Sequence, residues 1–447
     1  MAPKRVRTMI DSPVIAAARE TTPGLAIHGT GLQGQSQPIL LFRQSQLQKT
    51  APFLFSALYA PAEDSVPSTN ELLYMLSVQW RRWLRHRRRV LATITLLRDT
   101  LADTDARYAF IRGIPFAERY YIRPKLRVCG DVDLVIPEAD RHEVESALMA
   151  AGFRLHPCKA LHDARVNYVG QTEFRHPDLR MLVDVNWLFT GNGGIGKVSQ
   201  DMALVWSRAR HVEGAEWRLS HEDEFLNLIR HLGHGHDFDT GMLQVCVDVA
   251  AMLRLCGSEM DWDYVYEQAE VCEFLRILRF FSYFFDEYYR DESMPCLGDF
   301  LPRLRASATD RECRLFSRIV LFPLLRRTSP RKAAFGVFYG NYRVAAKLWA
   351  LDRFTRMLRM LAWAAWPSRH QLVMITLEYH TESFWKRRLR YYLNPLLPGL
   401  PGLFVGATAR TFLQFSRAVR KLREFVLGDT ASAESALRKK GEGRDVS

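Results

Sequence analysis

Three aspartates carry the chemistry this sequence supports best. Asp131 and Asp133 lie two residues apart in GDVDLVI, and Asp184 stands among apolar residues in MLVDVNWLF. Side chains alternate faces along a strand, so Asp131 and Asp133 project from one face while Val132 and Leu134 point into a core. Two carboxylates ~7 Å apart on one face repel unless a cation lies between them. Hard donors of this kind, completed by phosphate oxygens of a substrate, suit Mg2+ or Mn2+. Asp184 shares its face with Asn186, two residues on. Three acids on two neighbouring strands would form a two-metal clamp, one ion on a triphosphate and the other activating a hydroxyl. A bare D-x-D is weak, because acids also end strands without binding anything, and the surrounding elements decide its weight.

Those elements are readable. Ser68 and Glu71 make a capping box ahead of a helical run to about Thr104 that contains QWRRWLRHRRRVL. RYAFIR (107–112) reads as a short strand, Gly113 as a break and IPFAERYY as a helical turn. RVCGDVDLVIP alternates and closes as a strand at Ile136. PEADRHEVESALMAAG has an acidic start, apolar spacing of three and four, and a glycine stop, so it is a helix ending near Ala151. FRL, QTEFRH and RMLVDVNWLF complete a strand-rich tail. The order predicts a compact α/β or α+β module of ~110 residues. From about residue 220 the spacing turns helical with heavy apolar faces.

The run from Ala106 to Leu155 resembles a bacterial nucleotidyltransferase family of the DNA polymerase β superfamily. Members show an apolar strand ending in Lys-Gly, a Tyr-rich helix, R-x-x-x-D-x-D, and a third acid on a later strand in a pattern like acid–apolar–His–Trp. Here Arg112-Gly113 takes the Lys-Gly place, Arg127 with Asp131 and Asp133 fits R-x-x-x-D-x-D, and Asp184 with Trp187 fits the third-acid segment. The resemblance covers roughly residues 105–300. Arg112 keeps the lysine's charge but replaces a point with a fork, and Asn186 stands where histidine is common.

The resemblance implies an α+β fold, a small polymerase-β-like core of mixed sheet with flanking helices, followed by a large all-helical domain on the acceptor side. It also implies Mg2+- or Mn2+-dependent transfer of a nucleoside monophosphate from an NTP to an acceptor, releasing pyrophosphate. Asp131, Asp133 and Asp184 would hold the metals. Arg112, Gly113, Arg127, Gly130 and Lys197 would face the nucleotide. Arg127 could equally be a structural salt-bridge partner. The alternative is a non-catalytic nucleotide- or RNA-binding protein on the same fold.

Other motifs compete. GNGGIGKV (191–198) reads G-x-x-x-x-G-K, but Val198 stands where a P-loop needs Ser or Thr, so a glycine hinge containing Lys197 is the expectation. His231, His234, His236, Asp237 and Asp239 have spacings that could ligate metal, yet they fall at a helix end, where a pocket or capping role is expected. The arginines of QWRRWLRHRRR could meet RNA or an acidic membrane surface. A solvated face with tryptophans packed inward is favoured, and KRRLR (386–390) and SRAVRKLR (416–423) are read the same way. Asp248 in VCVDVAA is expected to be a buried, hydrogen-bonded helix residue.

The bulk numbers agree with this frame. The 447 residues allow two or three domains, and 48% hydrophobic content excludes a mostly disordered chain. A net charge of +13 favours anionic partners, with nucleic acid possible but not favoured. Seven cysteines without a C-x-x-C pair suggest reduced, buried thiols and a cytoplasmic protein, and no apolar run is long enough for a membrane span. Peripheral membrane contact stays open. The expected organisation is a poorly ordered leader (1–66), the core with its N-terminal helix (67–215), the helical domain (216–428) and a disordered tail (429–447).

Overall fold

A computed structural model describes residues 51–52, 70–155, 162–163, 166, 169–189, 199–235, 238, 241–289 and 313–314. The chain enters through α1 (Asn70–Leu101), whose buried residues Leu76, Trp83, Val90, Ile94, Leu97 and Leu101 recur at helical spacing. The Trp83 indole N–H donates to the Lys125 carbonyl at 2.7 Å, which fixes the helix to the loop before the aspartates. Arg81, Arg82, Arg85, Arg88 and Arg89 are exposed. The helix thus turns tryptophan inward and arginine to water, the arrangement favoured from its sequence.

Then come β1 (Tyr108–Ile111), α2 (Gly113–Tyr120), β2 (Val132–Val135), α3 (Arg141–Ala150), β3 (Arg154–Leu155), β4 (Gln171–His176) and β5 (Met181–Asn186). After α4 (Met202–Arg208) the hairpin β6 (Arg210–Glu213) and β7 (Glu216–Arg218) returns to the sheet. The result is one mixed seven-stranded sheet, ordered β3-β4-β5-β2-β1-β7-β6. β1 runs antiparallel to β2, whereas β2 is parallel to β5. The sheet therefore runs past the boundary expected at residue 215, because β7 pairs with β1.

Strand alternation gives the sheet two unlike faces. Val132, Leu134, Phe174, Val183 and Val185 enter a core shared with α1 and α3. On the other face Ala109, Ile111 and Val135 form a smaller core with Val205 and Trp206 of α4. In β5 the pattern is strict: Met181, Val183 and Val185 are buried, while Leu182, Asp184 and Asn186 are half-buried on the opposite side. That second face carries the acids.

Downstream, α5 (His221–Arg230), α6 (Met242–Cys256), α7 (Trp262–Val271) and α8 (Leu275–Phe284) pack with α2 around a separate aromatic-rich core. The helical continuation is described to residue 289 and again at residues 313–314; of the expected leader only residues 51–52 are described, and the tail lies outside the described residues. Among the described residues no helix is long and apolar enough to cross a membrane, and Cys129, Cys246, Cys256, Cys272 and Cys313 are buried thiols outside any disulfide.

Candidate active site

Register decides where the acids stand. Asp133 of β2 is paired directly with Asp184 of β5, and Asp184 in turn with Glu173 of β4. Cross-strand partners share a face, so Asp133, Asp184 and Glu173 form one row across three strands, ~5 Å apart at their Cα atoms. Asp131 is half-buried one residue before β2 and two before Asp133, which returns it to the same side. Asn186 follows on that side, and its amide donates to the carbonyls of Leu134 (3.0 Å) and Asp184 (3.1 Å). Its side chain ties two strands together beside the acids.

A cation already stands in the row. The Arg112 guanidinium donates to Asp133 Oδ1 at 2.6 Å, and both side chains are largely buried, at 13% and 12% exposure. Arg112 has φ 60° and ψ −156°, backbone space that glycine alone visits readily. Gly113 follows at φ +59° and opens α2. Holding Arg112 there costs about 1–3 kcal/mol, and the strain falls on the residue that reaches Asp133. Among the described residues no group of three or more His, Cys, Asp or Glu is arranged to hold a metal ion. The Arg112 fork occupies one side of Asp133, where the sequence alone placed an ion.

A family model described as an uncharacterised nucleotidyltransferase matches residues 35–290, more than half of the chain. The chain belongs to this nucleotidyltransferase family. No curated protein and no solved structure matches it. The match begins within the stretch read as a leader and ends beside residue 289.

In this nucleotidyltransferase the other expected nucleotide contacts fall in different places. Arg127 is buried, and its fork is filled by Asp248 of α6: Nε to Oδ1 and Nη2 to Oδ2, both 2.8 Å. The Tyr121 hydroxyl also donates to Asp248, and Gln244 donates to the Tyr121 oxygen at 3.1 Å. Burial alone would lower the Arg127 pKa, but the Asp248 charge and hydrogen bonds hold it above the ordinary value. Of the two roles open for Arg127, the salt bridge is the one this geometry fills, and it joins the core to the helices. Asp248 is the buried, hydrogen-bonded helix residue expected.

Gly130 is exposed, and a Cβ there would meet nothing within 4 Å, so no close approach demands glycine. Lys197 and the whole run 191–198 lie outside the described residues, as do His236, Asp237 and Asp239. His231 and His234 lie in a π-helical turn, His231–Gly235, directly after α5.

Sequence reasoning missed Glu173. Its signal was present in QTEFRH, where Gln171, Glu173 and Arg175 alternate with Thr172, Phe174 and His176, but only register shows that Glu173 meets Asp184.

A second polar cluster couples α2 to α5. The Tyr120 hydroxyl meets His221 Nδ1 at 2.7 Å, Arg119 Nη2 meets the same atom at 3.1 Å, and Arg119 Nη1 pairs with Glu224 at 3.0 Å. Burial and the Arg119 charge hold the His221 pKa below its usual value, so the folded protein keeps a neutral imidazole whose Nδ1 accepts. Stability from this contact is complete above about pH 6.5 and is lost as pH falls through that value toward the lowered pKa. Buried Glu224 has its pKa raised by burial and acts in the opposite sense, gaining stability on acidification. The unfolding midpoint should therefore fall less steeply between about pH 7 and 5 in His221→Gln than in the wild type. Equal slopes would remove His221 from the account.

Proposed function

We propose that this nucleotidyltransferase moves a nucleoside monophosphate from an NTP to an acceptor and releases pyrophosphate, with Asp131, Asp133 and Asp184 as its catalytic carboxylates. The single observation that carries this reading is the direct pairing of Asp133 with Asp184 across parallel strands. Like charges opposite one another destabilise a sheet, so such a row is retained where a cation or cationic group balances it. The Arg112 contact fits that expectation: the row already draws a positive charge.

The carboxylates suit Mg2+ or Mn2+, hard ions that take oxygen donors and leave positions for phosphate oxygens. Asp131 and Asp133 would hold ions on the triphosphate side, and Asp184 would share the second ion. Bound there, the metal supplies charge neutralisation for the triphosphate and lowers the pKa of the attacking hydroxyl. The rest falls to the chain. Asp184 orients the acceptor hydroxyl and takes up its proton. The Arg112 fork lies within reach of the row and can transfer its hydrogen bonds from Asp133 to phosphate oxygens, for which a planar guanidinium is well shaped. Gly113, at positive φ, leads the backbone into α2 beside those phosphates. Phosphoryl chemistry of this class is mostly positioning and electrostatics, which such a constellation can provide.

A second reading has one observation in its favour. With Arg112 bound to Asp133, the row is partly neutralised without metal, as a nucleotide-binding fold without turnover would have it. Pyrophosphate release separates the two. Full-length protein given mixed NTPs, Mg2+ or Mn2+ and a small-molecule cell extract should release pyrophosphate, and Asp131→Ala should not. Nucleotide binding that survives loss of all three aspartates, with no pyrophosphate from either protein, would establish the second reading instead.

A further inference from the structure

Every acid in the first turn of α5 has a partner. Glu222 pairs with Arg208 at 2.9 Å, Asp223 accepts from Ser220, Gln200 and Tyr264, and Glu224 pairs with Arg119. The last residue of the same helix is treated differently. Arg230 is 4% exposed, yet neither of its terminal nitrogens has a hydrogen-bond partner among the described residues. Among the described residues, the buried thiol of Cys272 is the one group whose charge would favour the guanidinium. Burial pulls the Arg230 pKa down to about 10, which still leaves the group charged at neutral pH. The Cys272 thiol, raised by burial, stays protonated beside it.

An uncompensated buried charge is among the costliest features a fold can carry, and buried guanidinium groups are retained where an anion completes them. The site is also shaped. Arg230 is followed at once by the π-helical turn His231–Gly235, a distortion that recurs at functional sites. That turn is pinned by close packing, since a Cβ on Gly233 would come within 2.5 Å of the Ile277 side chain. The two open nitrogens form the fork that takes two oxygens of one carboxylate or phosphate.

We infer that Arg230 anchors a buried anion site that takes one phosphate or carboxylate group of a small molecule, with the Cys272 thiol at its edge. The site belongs to the helical layer and not to the acid row, so it stands whether or not the transfer reading does.

The test uses the full chain in low-chloride buffer with EDTA, free of phosphate and carboxylates. Inorganic phosphate and acetate are titrated separately while thermal unfolding is followed. At about ten times its dissociation constant, the preferred anion should raise the wild-type midpoint by roughly 1.5–3 °C. The two titrations identify whether the site prefers phosphate or carboxylate. Arg230→Met should lose the response while unfolding at the same or a higher midpoint without anion. Arg230→Lys, which keeps charge but loses the fork, should respond at least several-fold more weakly. The inference is overturned if the wild type ignores both anions, or if Arg230→Met responds as the wild type does. It is equally overturned if Arg230→Met is destabilised or unfolded in anion-free buffer, because a carboxylate of the chain itself would then be the missing partner.

Discussion

Replacing Asp184 with asparagine is expected to reduce nucleotide transfer by on the order of 10^3-fold, about 4 kcal/mol of transition-state stabilisation. Asparagine keeps the volume and the strand, but it removes the charge that would share the second ion and accept the acceptor's proton. The variant should remain fully folded. Asp184 sits in register between Asp133 and Glu173, so neutralising it relieves like-charge repulsion, and the unfolding midpoint should not drop. Transfer rate and thermal midpoint measured on the same preparation check both halves. A variant that loses activity only in proportion to lost folded protein would make Asp184 a structural residue.

Asp248→Ala should produce the largest loss of stability, about 3–5 kcal/mol by denaturant unfolding, because it leaves Arg127 buried without its counter-charge. Two 2.8 Å hydrogen bonds, the Tyr121 hydroxyl and the Gln244 amide all converge on that carboxylate. Replacing both members, Arg127→Met with Asp248→Leu, should recover much of the loss, since an apolar pair of similar volume carries no stranded charge. If the double variant is as unstable as Asp248→Ala, the cost lies in packing rather than in the ion pair. A small effect of Asp248→Ala would mean that Arg127 is solvated and available to a nucleotide after all.

What the sequence revealed follows from which signals are local. Alternation around Asp133 and Asp184 is a local property, so both strands and their polar face were legible, as was α1 with its inward tryptophan. Register is not local. That Asp133 meets Asp184, and Asp184 meets Glu173, depends on strand order in a mixed sheet. The hairpin of β6 and β7 escaped because all four β6 residues are exposed, so it has no apolar period to read. Its one cue was Gly214 in VEGAEW, at φ +53° in the turn. Arg127 was open between two roles because its partner lies 121 residues further along the chain. Arg112 was read as a forked charge facing the nucleotide; its positive-φ backbone gives no sign in the sequence, since glycine is the residue that advertises such a turn. Arg230 passed unnoticed among ordinary helix-end cations, where arginine is favoured by the dipole, and only its burial sets it apart.

The proposed function places transfer of the nucleotidyl part of an NTP at the row of Asp131, Asp133 and Asp184. Parallel incubations of full-length protein with cell extract and either α-labelled or γ-labelled NTPs, in Mg2+ or Mn2+, test it most directly. Label should reach an acceptor from the α position, not from the γ position, and from neither with Asp131→Ala. Acceptor label from the γ-phosphate, or α-label transferred equally by Asp131→Ala, would contradict it.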